Sequence, residues 1–214
     1  MAMPFFAPGD DPGPSFPELL RRVGAAPPTL NMSSDALGPV PHATTCVAMR
    51  YADGVVMAGD RRATAGNLIS HRAMEKVVEA DRYSGVAIAG VAGVAMEMVR
   101  LFQLQLEHYE KVEGTPLSLE GKANQLSMLI RGNLQSAMMG LAVVPIFAGY
   151  DERRQIGRLW DFDVTGGRYE EREYVATGSG SLHAGTVVKV GWRPGLSRDE
   201  AIYLACRALW EAAD

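Results

Sequence analysis

The sequence is poor in cysteine, with only Cys46 and Cys206 among its 214 residues. Two cysteines cannot form a disulfide framework, so the fold must depend on an ordinary apolar core, and the composition suits a reducing compartment. The chain also lacks any stretch near the roughly 20 apolar residues that a membrane span requires. Its first eleven residues carry no positive charge ahead of an apolar run, as a secretory signal would. We therefore expect a cytoplasmic protein with no membrane partner.

Positive charge and metal-binding patterns are scarce as well. The formal net charge is -4, so a nucleic-acid partner is not expected. The four histidines are scattered along the chain, and none stands at the spacing of metal ligands. We expect neither a metal nor a cofactor.

Proline is rare after residue 43 but dense before it, since nine of the twelve prolines lie in residues 1–43. Such density forbids a long helix or a central strand. Residues 15–24 are the exception, because Ser15 can cap a helix, Gly24 can end it, and the apolar side chains between them fall on one face. We predict an extended arm with one short docking helix over residues 1–43; a disordered tail also fits the composition.

From Thr44 onward the pattern changes to short apolar strands and long helices. The predicted strands are residues 44–50, 54–60, 76–79, 83–89, 142–150, 157–163 and 168–177. Helices are predicted over residues 94–114 and 118–140, and two further helices are predicted to begin at Leu182 and at Ser197. This order of strands, two helices, strands and two helices predicts an α+β fold, in which two antiparallel sheets pack face to face and helix pairs lie outside.

The stretch from His42 to Lys76 carries the candidate chemistry. Thr44 opens the first strand, Asp60 ends the second and Lys76 follows, so consecutive elements deliver a hydroxyl, a carboxylate and an ammonium. Threonine is a poor nucleophile without a base beside it, and the nearest base is its own α-amino group, whose ordinary pKa is about 7.7–8.0. That amine exists only if the segment before Thr44 is removed. Lys76 would then favour the neutral amine, and Asp60 would orient Lys76.

Other interpretations of these residues stay open at this level. A Thr-Thr pair often begins a strand, and Asp60-Arg61 can be a surface ion pair. Cys46 is a conceivable nucleophile, although a cysteine in an apolar strand is more typical of a buried core residue. Arg61 and Arg62 are by default surface charges, although a turn beside Asp60 could bring one of them near the site. The run Gly178-Ser179-Gly180-Ser181 is typical of a turn that enters a helix.

Several motifs in combination resemble actinobacterial proteasome β-subunits. The runs from Thr44 to Ala48 and from Gly54 to Thr64 are similar to the start of those subunits, and residues 16–22 resemble their propeptide. Further similar motifs lie at residues 107–111, 131–134, 148–151 and 178–181. The resemblance covers nearly the whole chain, and it implies an N-terminal-nucleophile hydrolase with four αββα layers.

The resemblance also implies roles for single residues. Thr44 is the nucleophile, Asp60 and Lys76 tune its amine, Gly90 supplies a backbone N–H to an oxyanion, and Ser179 joins the hydrogen bonds around the amine. Thr64 and Ala92 would hold the substrate main chain as an added strand. The implied specificity pocket is apolar throughout, which implies cleavage after hydrophobic residues. Its residues are Ala63, Met74, Val78, Ile88, Ala92 and Met96.

Taken as a family member, the protein would be a catalytic subunit of a 20S proteasome core, a threonine endopeptidase that cleaves itself between Ala43 and Thr44. The implied partners are α-subunits and other β-subunits in stacked heptameric rings, a regulatory ring ATPase, and unfolded or tagged protein substrates. Residues 1–43 would be a prosegment removed on maturation. Residues 44–214 would be the hydrolase domain, which we expect to lack the C-terminal strands of the family.

One position departs from the family pattern, and two alternatives remain. The family usually has Gly before the nucleophile, where this chain has Ala43; a Cβ penalises backbone angles that Gly permits, so we expect slow self-cleavage. Ala43 and the expected missing segment also fit a catalytically silent or unprocessed ring subunit. A two-ring ATPase-gated bacterial threonine peptidase begins with Thr-Thr as well, but the 43-residue arm and the Arg61-Arg62 pair argue against it.

Overall fold

Two antiparallel sheets form the centre of the domain. The computed structural model describes residues 44–65 and 68–213, with the side chains of residues 64–70 not described. The prosegment expected over residues 1–43, its short helix and Ala43 lie outside the described residues. The strands, in chain order, are β1 Cys46–Tyr51, β2 Gly54–Gly59, β3 Ala63–Ala65, β4 Leu68–His71, β5 Val77–Asp81, β6 Ser84–Ala87, β7 Ile146–Asp151, β8 Ile156–Phe162, β9 Arg168–Glu171 and β10 Tyr174–Thr177.

The strands pair mainly with their neighbours in the chain. One sheet has the order β10-β1-β2, and the other runs β5-β6-β7-β8-β9. Strands β3 and β4 form a separate two-stranded hairpin. The turn at Ala52 and Asp53 joins β1 to β2 in a register that pairs Cys46 with Gly59. This register is what brings the start of β1 beside the end of β2.

The helices form two pairs on the outer faces. They are α1 Ala92–Glu113, α2 Leu119–Gly132, the short α3 Leu134–Met138, α4 Ser181–Gly191 and α5 Arg198–Glu211. Helix α1 ends at Gly114, which takes the left-handed conformation. Helix α5 begins with a capping box, in which the Ser197 hydroxyl accepts from the Glu200 N–H and the Glu200 carboxylate accepts from the Ser197 N–H.

Three apolar clusters correspond to the three interfaces of a four-layer sandwich. Helices α1 and α2 pack on the five-stranded sheet, where Phe102 and Phe147 meet edge to face with ring centroids 5.9 Å apart. Helices α4 and α5 pack on β1 through Val47 and Met49. The alternate β1 residues face the second sheet, so all of Cys46–Met49 is fully buried. Strand β1 therefore has no solvent-facing side at its start, as its unbroken apolar sequence requires.

The α+β fold with packed antiparallel sheets and outer helix pairs is confirmed, and two element predictions are wrong. The strand predicted over residues 168–177 is two strands, because β9 pairs with β8 while β10 crosses to the other sheet and pairs with β1. The helix predicted over residues 118–140 is interrupted at Asn133, between α2 and α3. The β3–β4 hairpin, which follows Asp60, was not predicted. The partner of β10 is β1, which lies far away in the sequence, so local propensity could not reveal the split of residues 168–177.

Among the described helices, none is both long enough and apolar enough to cross a membrane.

Phe102 is the residue whose loss should test the outer-layer packing most sharply. Its side chain is fully buried between α1 and the five-stranded sheet. We expect Phe102→Ala to lower the free energy of unfolding by about 3–5 kcal/mol, because a large cavity is left behind. Leu104 on the same helix is 61% exposed and provides the matched control, since Leu104→Ala should change stability by less than about 0.5 kcal/mol. Equal losses for the two variants in denaturant unfolding would contradict this packing.

Candidate active site

Thr44 lies two residues before the start of β1 and is held by the turn that precedes α4. Its side chain and backbone together are only 8% exposed. The Thr44 N–H donates to the Ser179 hydroxyl at 3.4 Å, and that hydroxyl lies 3.4 Å from the Thr44 carbonyl oxygen, to which it can donate. The Gly180 N–H also reaches the Thr44 carbonyl, at 3.4 Å. Ser179 thus contacts both backbone polar groups of the predicted nucleophile.

Gly178 makes this close contact possible. Its φ is +93°, a conformation that side chains disfavour, and a Cβ there would stand 2.1 Å from the Thr44 carbonyl oxygen. Gly180 has an ordinary φ of -88°, but a Cβ there would stand 2.1 Å from the Thr45 hydroxyl, so the Thr45 side chain would have to shift. The Gly-Ser-Gly sequence is therefore a helix-entry turn that also packs directly against Thr44 and Thr45. Those two contacts could not be inferred from the local sequence pattern.

Asp60 links three different segments through its two carboxylate oxygens. One oxygen, Oδ1, accepts the Thr45 N–H at 2.7 Å and the Lys76 ammonium at 2.8 Å. The other, Oδ2, accepts the Arg62 N–H at 3.0 Å. The β1–β2 pairing extends one step past Gly59, because the Asp60 N–H donates to the Thr45 carbonyl at 3.0 Å. The carboxylate is consequently fixed relative to the residue that follows Thr44.

Lys76 presents an ammonium group that is taken out of solvent. Its side chain is 0% exposed, and the ammonium donates to Asp60 Oδ1 and, at 2.5 Å, to the Arg62 carbonyl oxygen. A buried charge is costly unless it is paired and hydrogen-bonded. The carboxylate and the carbonyl meet that requirement. The sequence prediction that Asp60 orients Lys76 has a direct geometric basis here, although the catalytic roles themselves stay predictions.

Gly90 lies beside Thr44, on the segment that leads into α1. Its φ is +106°, and a Cβ would stand 2.1 Å from the Ala142 carbonyl oxygen. Gly90 and Val143 form an isolated antiparallel bridge whose hydrogen bonds run from the Val91 N–H to Ala142 and from the Val144 N–H to Ala89. The N–H of Gly90 takes no part in this bridge.

A small cleft adjoins Thr44 between the β3–β4 hairpin and the start of α1. Apart from Thr44 it is lined by apolar residues and glycine: Ala63, Met74, Ile88, Ala89, Gly90, Ala92 and Ala95. Four of the six residues assigned to the specificity pocket line it. The other two, Val78 and Met96, are not among the residues that line this small cleft; like Met74, they pack against the cluster beneath α1 and α2, and their assignment to the pocket stays a prediction. The side chain of Thr64 lies outside the described part of the structure.

Ala89 and Ala95 line the cleft without having been predicted. Ala95 follows Ala92 by one helical turn, so the helical spacing of small residues at the start of α1 was the available signal.

Within the described part of the chain, no group of three or more His, Cys, Asp or Glu side chains could hold a metal ion.

Cys46 has the properties of a core residue. It is fully buried, and its thiol lies 3.6 Å from the Ile88 carbonyl oxygen. Burial raises the pKa of the Cys46 thiol to about 12; the nearby Lys76 lowers it and Asp60 raises it by smaller amounts. A thiol with such a pKa is protonated at neutral pH and is a poor nucleophile. Thr44 lines the cleft and Cys46 does not, and the role of Thr44 as the nucleophile stays a prediction.

Comparison with known proteins gives a consistent family. A family model described as "Proteasome: Proteasome subunit" matches residues 40–214. The chain is 59% identical over 215 residues to a proteasome subunit beta of Acidimicrobium ferrooxidans, an alignment that covers 100% of this chain and 78% of that protein.

Two further relatives share the same name. Over 174 residues the chain is 58% identical to a proteasome subunit beta of Jonesia denitrificans and 60% identical to one of Streptomyces griseus. Each alignment covers 81% of this chain, but only 58% and 62% of the respective relative. The chain therefore spans less than two thirds of the length of these two proteins.

The contrast between the two cysteines gives a test of the site's chemistry. Cys206 is exposed on α5, whereas Cys46 is buried with a pKa raised to about 12. We expect iodoacetamide at pH 8 to modify one thiol in the folded protein and both in urea, as counted by intact mass spectrometry. In a Cys206→Ser variant the folded protein should resist labelling. Rapid modification of Cys46 in that variant would contradict the description of this site.

Proposed function

The chain belongs to the proteasome subunit family, and from that premise we propose that it is a catalytic β-subunit of a 20S core, acting as a threonine endopeptidase after cleavage before Thr44. One observation carries the proposal. Asp60 binds the backbone of Thr45 and the buried ammonium of Lys76 through the same oxygen, at 2.7 and 2.8 Å. A cation is thereby fixed two hydrogen bonds away from the residue next to the proposed nucleophile. A surface ion pair would need no such burial.

The proposed reaction uses two groups of one residue. The free α-amino group of Thr44 accepts the proton of its own hydroxyl, whose oxygen attacks the carbonyl carbon of the scissile peptide. The amine then returns the proton to the leaving nitrogen, and an acyl ester remains on Thr44. Water, deprotonated by the same amine, attacks the ester and releases the second product. Ser179, which contacts both backbone polar groups of Thr44, would hold the new amine in place.

Two further groups would assist this reaction. The ammonium of Lys76 disfavours a second positive charge nearby, so it lowers the pKa of the Thr44 amine and keeps more of it in the neutral, basic form. The N–H of Gly90, which the bridge to Val143 leaves uninvolved, would donate to the oxygen that becomes negative. Loss of one such donor typically costs about 2.7–4 kcal/mol of transition-state stabilisation.

The amine must first be created by cleavage of the Ala43–Thr44 bond. In the proposed self-processing the Thr44 hydroxyl attacks the Ala43 carbonyl carbon, and the acyl group moves from nitrogen to oxygen. Hydrolysis of the resulting ester then gives a carboxylate on Ala43 and a free amine on Thr44. Ala43, which stands where the family usually has Gly, makes this step slower in our proposal.

The ring assembly that we propose is based on membership of the proteasome subunit family. The subunit would join α-subunits and further β-subunits in stacked heptameric rings, in the cytoplasm, with a ring ATPase that delivers unfolded or tagged proteins. A catalytically silent ring subunit is the remaining alternative, since Ala43 could prevent processing. A two-ring ATPase-gated peptidase is disfavoured because the relatives named above are proteasome β-subunits.

Removal of the Thr44 hydroxyl should abolish both processing and peptide hydrolysis. We expect Thr44→Ala to retain residues 1–43 and to lower kcat/KM by roughly 10³-fold or more, because the nucleophile is lost. Thr44→Ser keeps a hydroxyl and is the matched control, which should be processed and remain measurably active. Mass spectrometry of the amino terminus and hydrolysis of a fluorogenic peptide measure the two effects. Persistence of intact residues 1–43 in the unsubstituted protein would favour the silent subunit instead.

The apolar cleft predicts the side chain that precedes the cleaved bond. Peptides with Leu, Phe or Tyr at that position should be hydrolysed with a kcat/KM at least about tenfold higher than peptides with Lys or Glu. A charged side chain would be buried there without a partner, at a cost of several kcal/mol. A fluorogenic panel that differs only at this position gives the ratios. Equal or better hydrolysis after Lys would contradict the assignment of this cleft as the specificity pocket.

A further inference from the structure

Arg62 is bound at three points, and only one of them involves its charge. It lies in the connection between β2 and β3, where residues 60–62 belong to neither strand. Its N–H donates to Asp60 Oδ2 at 3.0 Å, and its carbonyl oxygen accepts from the Lys76 ammonium at 2.5 Å. Its guanidinium donates to the Ala213 carbonyl oxygen at 3.1 Å, just past the end of α5. A single residue therefore touches both the buried ion pair and the end of an outer helix.

The carboxyl end of α5 is a site where a cation stabilises the helix. The last carbonyl groups of a helix lack intrahelical partners and carry partial negative charge. Helix α5 has no basic residue in its own last turn, and its C-cap is Ala212. Arg62, from a different part of the chain, places a positive charge near this end, and its hydrogen bond goes to the carbonyl of Ala213, one residue past the C-cap. The body of α5 is meanwhile fixed against β1 through the buried Leu204, Ala205 and Ala208.

We propose that Arg62 is a positioning residue, which uses its anchorage at the end of α5 to fix the backbone carbonyl that holds Lys76. The argument is one of geometry. Lys76 has a fully buried ammonium, so a displacement of the Arg62 carbonyl weakens a hydrogen bond that solvent cannot easily replace. The neighbouring N–H of Arg62 would release Asp60 Oδ2 in the same movement. The guanidinium thus controls the ion pair without touching substrate.

Arg61, the adjacent arginine, carries the same charge as Arg62 but makes a different contact. Its guanidinium is 63% exposed and lies 3.9 Å from a carboxylate oxygen of Glu75, which is 79% exposed. An exposed pair at this distance contributes little. The two adjacent arginines therefore differ in what they contact, and Arg61 is the natural control for Arg62.

The test has two measurements. Peptide hydrolysis rests on the proposed peptidase function, whereas hydrogen exchange reports only the contact between Arg62 and the end of α5. Arg62→Met keeps most of the apolar stem but removes the donor, Arg62→Lys keeps a cation, and Arg61→Met is the control. Each protein is assayed on one fluorogenic peptide across pH, with rates normalised to the fraction of chains processed at Thr44. Hydrogen exchange of the amides of residues 208–213 is measured in parallel.

The proposal predicts a change specific to Arg62. Arg62→Met should lower kcat/KM roughly tenfold, the scale of one lost charge-assisted hydrogen bond. It should also move the acidic limb of the pH profile to higher pH, because a less fixed Lys76 lowers the pKa of the Thr44 amine less. Exchange at the end of α5 should become faster. Arg62→Lys should recover part of each effect, and Arg61→Met should resemble the unsubstituted protein.

Several results would overturn the proposal. These are an Arg62→Met profile within twofold of the unsubstituted protein, equal effects from Arg61→Met, or a lower rate with unchanged exchange in α5. If Arg62→Met does not fold, the contrast between Arg62→Lys and Arg61→Met decides by the same criteria. An inactive unsubstituted protein would refute the proposed function, while the exchange measurement would still decide whether Arg62 anchors α5.

Discussion

The pairing of a buried ammonium with a carboxylate is the constraint on which the site depends. Lys76 cannot keep its charge out of water without nearby acceptors, and Asp60 and the Arg62 carbonyl supply them. Because Asp60 also binds the Thr45 N–H, satisfying Lys76 fixes the backbone next to Thr44. The same hydrogen bonds therefore satisfy the buried charge and hold the backbone beside the residue that we propose as the nucleophile. Removing either partner would leave an uncompensated charge inside the domain.

The four-layer packing brings these groups together from distant parts of the chain. Strand β1 is buried on both faces, so its first residues are held between a sheet on one side and α4 with α5 on the other. The turn at Gly178 and Ser179 then closes over Thr44 from the far end of the sequence. Gly90 approaches from the segment before α1. Each of these groups lies near the end of a strand or the start of a helix, where backbone N–H and C=O groups are not all hydrogen-bonded within the helix or sheet.

The sequence predicted what depends on local pattern and failed where distant partners decide. The β1–β2 hairpin follows from apolar runs around a turn, and the helix cap at Ser197 from a side chain next to its own helix. The split of residues 168–177 between two sheets was missed because β10 finds its partner over a hundred residues earlier. The Asp60–Lys76 contact was predicted from chemistry, whereas the anchorage of Arg62 at α5 has no sequence signal. Val78 and Met96 were assigned by resemblance; they do not line the described cleft, and their assignment stays a prediction.

Identification of the nucleophile tests the central claim most directly. The purified protein would be treated with a peptide vinyl sulfone that carries a hydrophobic residue next to the electrophile, digested, and mapped by mass spectrometry. Hydroxyl and thiol groups both react with this reagent, so the map chooses between Thr44 and the two cysteines. The account predicts one adduct, on Thr44, in chains that begin at Thr44. An adduct on Cys46, or adduct-free chains that begin at Thr44, would contradict it.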